Sequence, residues 1–350
     1  MKEAIERIYS GWSETFSGAC LVKSSEDIIF SAAAGEANMA FGIANTVNTK
    51  FDTASVTKVF TAAAVLLLVE EGLLSLNDRI TEVIDLEGTM IPDDVTIEQL
   101  LNHTSGIADD AEEANGEDYS ALFVTKPNYS IRECSDFLPQ FAYKKPNFVA
   151  GTSARYNNCA FILLGLAIEK LSGLSYRDFV TTRIFDKCGM VNSRFGAMDE
   201  VNTDTAEGYV SVVDDVTGAV KWKKNIYSYP PIGTADGGAY STVADLDLFV
   251  RAVKNGGLLS PAYAKLLFEP HCEFSMPHFC GTWTMGYAFE FILADDGEVF
   301  CMFKEGYNSG VEAVVSYFPK FDATVCMLAN KHDALYGLFG EIQGYFYGLR

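Results

Sequence analysis

Apolar positions recur along this chain at two spacings, and together they predict its elements. Charged and apolar residues interleave at helical spacing over about residues 2–14, which predicts an N-terminal helix. Two strand-like runs follow, GACLVKS and DIIFSAAAG, joined by the polar turn Ser24-Ser25-Glu26-Asp27, a hairpin signal. The run VFTAAAVLLLVEEGLL is apolar for nearly its whole length and ends at Gly72, so it predicts a core helix rather than a surface one. From about 80 to 274 helix patterns and loops dominate. TIEQLLNHT opens on a Thr-x-x-Gln capping arrangement, and CAFILLGLAIEKLSG reads as a buried helix ending at Gly173. YRDFVTTRIFDKCG and VADLDLFVRAVKNGG also end in glycine, as helices often do. The tail changes period. YAFEFILA, EVFCMFK, VEAVVSYFP and ATVCMLAN are short β-rich runs separated by turns and predict an antiparallel meander, closed by a helix over about 332–348.

This order predicts a mixed α/β fold: an antiparallel sheet assembled from both chain ends, flanked by N- and C-terminal helices, with a mostly helical lobe inserted. Residues 1–80 and 275–350 would form the α/β lobe and 81–274 the helical lobe. The 350 residues suit such a two-lobed body, and no internal repeat or low-complexity linker interrupts them.

Composition narrows the partners. Hydrophobic residues make up 49 %, enough for a packed core and against global disorder. The net charge of −21 disfavours nucleic acid and anionic membrane surfaces and leaves cationic or neutral ligands open. The strongest apolar run, Val59 to Val69, is too short to span a bilayer, and the N-terminus has no apolar core of a signal peptide. These features predict a cytoplasmic protein with no membrane span; a secreted form whose leader has been removed reads the same way. The eight cysteines are scattered without a C-x-x-C pair and read as reduced, buried thiols. His271, Cys272, His278 and Cys280 are zinc-type ligands, but their spacing matches no common site, so a loop between a helix and a strand, without metal, is expected there. The acidic stretch 109–118, DDAEEANGED, reads as a solvated surface loop.

The candidate chemistry begins at Ser55-Val56-Thr57-Lys58, at the head of the core helix. A serine and a lysine three apart on a helix share a face, roughly 5–6 Å apart at Cβ, so the amine can reach the hydroxyl and activate it without a histidine. Asp52 and Thr53 are candidate N-caps for that helix. Taken alone, the pair also fits a capping-region serine beside a solvated lysine. Three further segments follow in order: His103-Thr104-Ser105-Gly106 after a helix, Tyr156-Asn157-Asn158 before the buried helix, and Lys304-Glu305-Gly306 at a strand end.

The order S-x-x-K, H-T-S-G, Y-x-N, K-x-G resembles the serine β-lactamase and penicillin-binding-protein superfamily. It looks most like the class C branch, which also holds D-alanyl-D-alanine carboxypeptidases, D-aminopeptidases and esterases. RITEVI, GGAYSTVADLDLF and TMGYAFEF add to a likeness that covers about residues 15–330. The resemblance implies a serine hydrolase working through an acyl-enzyme. Ser55 would be the nucleophile, Lys58 the base, and Tyr156 the proton relay. Asn158 would hold Lys58 and a substrate amide, and Lys304, Glu305, Gly306 and Tyr307 would line the substrate. The N–H groups of Ser55 and Tyr307 would form an oxyanion hole, where one donor is worth about 3–4 kcal/mol. The resemblance gives His103 a structural role, and no other histidine sits in a Ser-His-Asp pattern. No cofactor or metal is implied; the partner is a small molecule or short peptide.

The chain departs from the family pattern at Glu305, where β-lactam-binding members carry a hydroxyl that helps bind the substrate carboxylate. Like charges at 4 Å cost on the order of 4 kcal/mol at an effective dielectric near 20. Neutral or amine-bearing esters and amides are therefore expected as substrates, as for an esterase or D-aminopeptidase. The alternatives are a penicillin-binding D-Ala-D-Ala carboxypeptidase or class C β-lactamase, and a non-catalytic binding protein on the same fold.

Overall fold

The computed structural model describes residues 1–112, 115–214, 216–332 and 334–350. Glu113 and Ala114 of the acidic stretch, and Asp333 at the start of the expected last helix, lie outside them. One eight-stranded antiparallel sheet organises the chain. Its strands are β1 (Gly18–Ser24), β2 (Asp27–Ala34), β3 (Pro270–His278), β4 (Gly281–Gly286), β5 (Glu290–Leu293), β6 (Val299–Asn308), β7 (Val311–Phe318) and β8 (Ala323–Ala329). Their order across the sheet is β2-β1-β8-β7-β6-β5-β4-β3, so both chain ends build it, as the patterning predicts. The β1–β2 hairpin closes at Ser25, a non-glycine residue at φ 49°.

Both faces of the central strands are covered. β7 and β8 are buried along their whole length, which is why their sequences are continuously apolar rather than alternating. On one face lie α1 (Lys2–Trp12) and the C-terminal helix, α5 (Leu335–Gly348), whose Ile5, Leu338 and Phe346 share a core with Val22, Val314 and Val325. The other face carries the larger core, which includes α2 (Thr57–Glu70), α3 (Asn158–Ser172) and α4 (Val243–Lys254). Helix α2 is buried nearly all round, and Phe60 packs edge-on against Phe185 and Phe249 with ring centres 5.1 and 4.9 Å away. Such pairs add about 0.5–1.5 kcal/mol each beyond burial and fix the helix against its neighbours.

Several expectations need correction. Residues 270–278, expected as a loop, form edge strand β3; it pairs with β4 from His278↔Gly281 to Pro270↔Gly286, across an irregularity. Its two histidines are held by protein partners. His271 Nε2 bonds the Leu266 carbonyl while its ring stacks on Tyr287, and His278 Nδ1 accepts from the Cys280 N–H. The stretch expected as helix and loop also holds a hairpin, Tyr209–Val213 with Val220–Lys224, whose second strand is exposed throughout. After β2 the sheet thus resumes at Pro270, within the stretch assigned to the helical lobe, and α4 of that stretch lies against β8 and β1.

Candidate active site

The site forms where the N-terminus of α2 meets the end of β6 and the N-terminus of α3. The chain enters α2 through a tight turn. Ala54, a residue with a Cβ, is held at φ 42°, and the turn Ala54–Val56 is 3₁₀ rather than α-helical. Ser55 therefore sits just ahead of α2, not inside its first turn. Asp52 works from outside the helix: its Oδ1 accepts the Ala54 N–H at 2.7 Å. Thr53 caps nothing; its hydroxyl donates to the Ala239 carbonyl at 2.8 Å and lies 3.1 Å from the Thr57 hydroxyl. Burial pushes the Asp52 carboxyl up to about 6, against the pull of its bonds to the Ala54 N–H and to Tyr229.

Lys58 is fully buried, and all its direct partners are uncharged oxygens. Its Nζ donates to Ser55 Oγ at 3.0 Å, to Asn158 Oδ1 at 2.8 Å and to the Asp236 carbonyl. Lys304 is equally buried but meets a carboxylate, donating to Glu290 Oε1 at 2.8 Å; Glu290 Oε2 accepts the Trp283 Nε1–H at 2.9 Å. Burial works against the Lys304 charge, but Glu290 and its acidic neighbours outweigh it and hold this amine above the usual lysine range. The Tyr156 ring is flanked by both amines, with Lys304 Nζ 4.5 Å and Lys58 Nζ 5.1 Å from its centre. Its hydroxyl is buried without a hydrogen-bond partner among the described residues.

Behind Tyr156 lies His103, at φ 61°, its ring 4.6 Å from the tyrosine ring. His103 Nδ1 accepts the Asn157 N–H at 3.2 Å. Burial, then the charges of Lys304 and Lys58, push the imidazole well below its ordinary pKa, so it is neutral. Neutrality matters because a charged ring would set a third cation against the two lysines. Asn157 Oδ1 caps α3 by accepting the Ala160 N–H at 2.6 Å. Asp109 holds the adjoining Asn158 and Cys159 N–H groups at 2.9 and 3.0 Å. The acidic stretch is thus not a purely solvated loop: Asp109, Asp110 and Glu112 are buried, and Glu112 pairs with Arg155 at 2.7 Å.

Gly306 allows β6 to approach the nucleophile turn. A Cβ there would stand 2.3 Å from the Thr53 carbonyl and 3.1 Å from the Ser55 nitrogen. Tyr307 sits opposite Glu312 in the β6–β7 register, and its exposed ring stacks on His332 at 4.6 Å. Glu305 is pushed up to about 7 by burial and then by the Glu290 charge, with Lys304 opposing. A cavity of about 360 Å³ is lined by Ser55, Tyr156, Asn158, Lys304, Glu305 and Tyr307. Gly306 shapes it through backbone contact, and Lys58 reaches it through Ser55. The structure therefore brings all eight singled-out residues together.

Further acids and aromatics at the site escaped sequence reading. Glu290, Asp236 and Tyr119 line the cavity, and Asp109 anchors Asn158 from behind. Glu290 had a signal: it is the lone charge in the apolar run YAFEFILA, and a charge in a buried strand needs a partner.

This geometry can be set against known proteins. The Beta-lactamase family profile matches residues 14–336. The chain belongs to the β-lactamase family of serine hydrolases. It is 30 % identical over 273 residues to penicillin-binding protein 4* of Bacillus subtilis, covering 74 % of this chain and 57 % of that protein. The fold matches the crystal structure of a penicillin-binding protein from Bacillus halodurans with a TM-score of 0.89 and 35 % identity, over 97 % of this chain and 99 % of that one. A D-stereospecific amidohydrolase from Streptomyces shares the β-lactamase-family fold at a TM-score of 0.80 and 20 % identity, over 98 % of both chains. Among the described residues no single helix is long and apolar enough to cross a membrane.

Proposed function

We propose that the protein hydrolyses neutral or amine-bearing esters or amides through an acyl-enzyme on Ser55. The observation that carries this is the pair of buried lysines with opposite surroundings. Ser55 Oγ lies 3.0 Å from Lys58 Nζ, whose other partners are also uncharged. Lys304, the buried cation beside the substrate wall, is already bound to Glu290. In this reading Lys58 takes the serine proton and Tyr156 passes it to the leaving atom, and a water later reverses the sequence. Asn158 holds Lys58 and the substrate amide. The Ser55 and Tyr307 N–H groups receive the oxyanion, and Lys304, Glu305 and Gly306 form the wall beside it. No cofactor or metal takes part. The site would lie between a sheet lobe and a mostly helical lobe.

The charge around the cavity supports an amine-bearing substrate. Among the described residues, Asp118, Asp236, Glu290 and Glu305 line it against one lining cation, Lys304. A second reading, penicillin-binding carboxypeptidase or β-lactamase, draws on the names of the Bacillus relatives. One panel separates the two: p-nitrophenyl butyrate, a D-amino-acid p-nitroanilide and nitrocefin, each with the protein and with Ser55→Ala. Turnover of the ester or anilide, with nitrocefin left intact, is the expected result. Ready hydrolysis of nitrocefin would install the second reading. Equal turnover by Ser55→Ala would remove Ser55 as the nucleophile, and silence with all three would leave a narrow unknown substrate or a binding protein.

A further inference from the structure

A second cavity, of about 390 Å³, adjoins the first and shares two of its wall residues, Tyr156 and Glu290. Ser55 lines only the first. The rest of the second wall is largely apolar: Phe274 and Met276 from edge strand β3, Trp283 and Met285 from β4. Phe274 and Met276 are 39 % and 56 % exposed, apolar surface that stands open beside the site. Arg155 also lines this cavity but is paired with Glu112 at 2.7 Å, and Lys304 of the first cavity is paired with Glu290 at 2.8 Å.

We infer that this cavity is the leaving-group subsite and that it takes a neutral, apolar or aromatic group. The inference rests on the acyl-enzyme reading above. In the acylation step the Ser55 Oγ bonds to the carbonyl carbon and the bond from that carbon to the leaving oxygen or nitrogen breaks. The serine proton passes through Lys58 and Tyr156 to the leaving atom, which departs as a neutral alcohol or amine. That atom must come within hydrogen-bond reach of Tyr156 Oη, which is buried and unpartnered among the described residues. Its substituent then points into the cavity that Tyr156 lines and Ser55 does not. There it meets two aromatic rings and two thioethers, with Glu290 at the rim. A carboxylate on the same group would face Glu290 and find both nearby cations occupied.

Matched esters test this. Methyl, benzyl and 4-carboxybenzyl esters of one acyl group leave as alcohols of similar acidity, so differences in kcat/KM report the subsite. The benzyl ester is expected to exceed the methyl ester by about tenfold or more, from the apolar area it buries. The 4-carboxybenzyl ester should fall back below the benzyl ester. In Met276→Asp, at an exposed strand position, the benzyl-to-methyl ratio should drop at least fivefold, and Phe274→Ala should lower it in the same sense. A merely structural role would lower both rates and leave the ratio. Equal wild-type rates for methyl and benzyl esters, or a ratio that survives both substitutions, would overturn the subsite while leaving the hydrolase reading standing. Failure of every ester to acylate Ser55 would overturn both.

Discussion

Two lysines are buried within reach of the same tyrosine ring, and their surroundings differ in one respect. Lys58, on the helical side, meets a hydroxyl, an amide oxygen and a backbone carbonyl. Lys304, on the sheet side, meets a carboxylate that is itself anchored by Trp283. A carboxylate partner keeps an ammonium charged, and Lys304 has one where the hydrogen bonds of Lys58 reach none. In the proposed reading the two amines divide between chemistry and field: one beside the candidate nucleophile, the other a fixed cation whose charge is already answered. The same division explains the expected substrate. A sheet-side lysine already paired to Glu290 offers less to a substrate carboxylate, and Glu305 stands where the family's carboxylate-binding hydroxyl would be.

The most damaging way to break the comparison is to make Lys58 resemble Lys304. Asn158→Asp places a carboxylate on Lys58 Nζ while keeping the side chain's shape. Ester kcat/KM should fall by roughly 10²–10⁴-fold, the range of one general acid–base contribution, with circular dichroism unchanged. A fall of less than threefold would show that the uncharged hydrogen-bond partners of Lys58 do not matter. Next comes the contact that joins the two sides. In Gly306→Ala the new Cβ would press on the Thr53 carbonyl, 2.3 Å away, and push the nucleophile turn from β6. Activity should drop by about 10²-fold, with a stability cost of about 1–3 kcal/mol seen in denaturant melts.

The reverse exchange makes Lys304 resemble Lys58. Glu290→Gln leaves a buried ammonium without its partner, and stability should fall by about 3 kcal/mol. The rate with nitrocefin should rise about tenfold or more, and carboxylate ligands should raise the melting temperature of the variant but not of the wild type. No gain on either count would return the exclusion of anions to some other feature.

The smallest effect concerns Glu305. The groups around it are Glu290, Lys304, Glu312 and Tyr336. Its pKa is raised to about 7 by burial and by Glu290, so it is neutral below that pH and repels anions only above it. The sequence argument that Glu305 alone excludes carboxylates therefore shifts toward Glu290 at lower pH. Discrimination against an anionic ester should grow a few-fold between pH 6 and pH 8, about one unit either side of that pKa, and Glu305→Gln should flatten the rise. A raised carboxylate also favours the folded state below its unfolded pKa, and that contribution is lost as pH rises through about 7. Relative to wild type, Glu305→Gln should thus gain about 1–3 kcal/mol in stability at pH 8 compared with pH 4.

How much of this was legible in the sequence depended on how local each signal is. The β1–β2 hairpin, the Thr96–Gln99 capping box and the glycine that ends α3 are each written within a few residues, and all appear where the patterning put them. The Ser55–Lys58 contact is of the same kind. The Lys304–Glu290 pair is not, because it depends on the register of β5 against β6, where Glu290 faces Phe303 and a bulge follows Ile292. Strand β3 escaped because it lies at the sheet edge with none of its residues buried and a proline at Pro277, so neither alternation nor burial marks it. Asp109 looked like part of a solvated acidic run, and only the fold turns it under the N-terminus of α3.

The central claim, that Ser55 accepts the acyl group while the site refuses anions, is tested most directly by trapping the intermediate. The protein would be mixed with p-nitrophenyl butyrate or with nitrocefin, quenched in acid within the first turnover, and mapped by peptide mass. The account predicts a butyryl adduct on the peptide carrying Ser55, absent in Ser55→Ala, and no adduct from nitrocefin. A nitrocefin adduct on Ser55 as abundant as the butyryl one, or a butyryl group on any other residue, would contradict it.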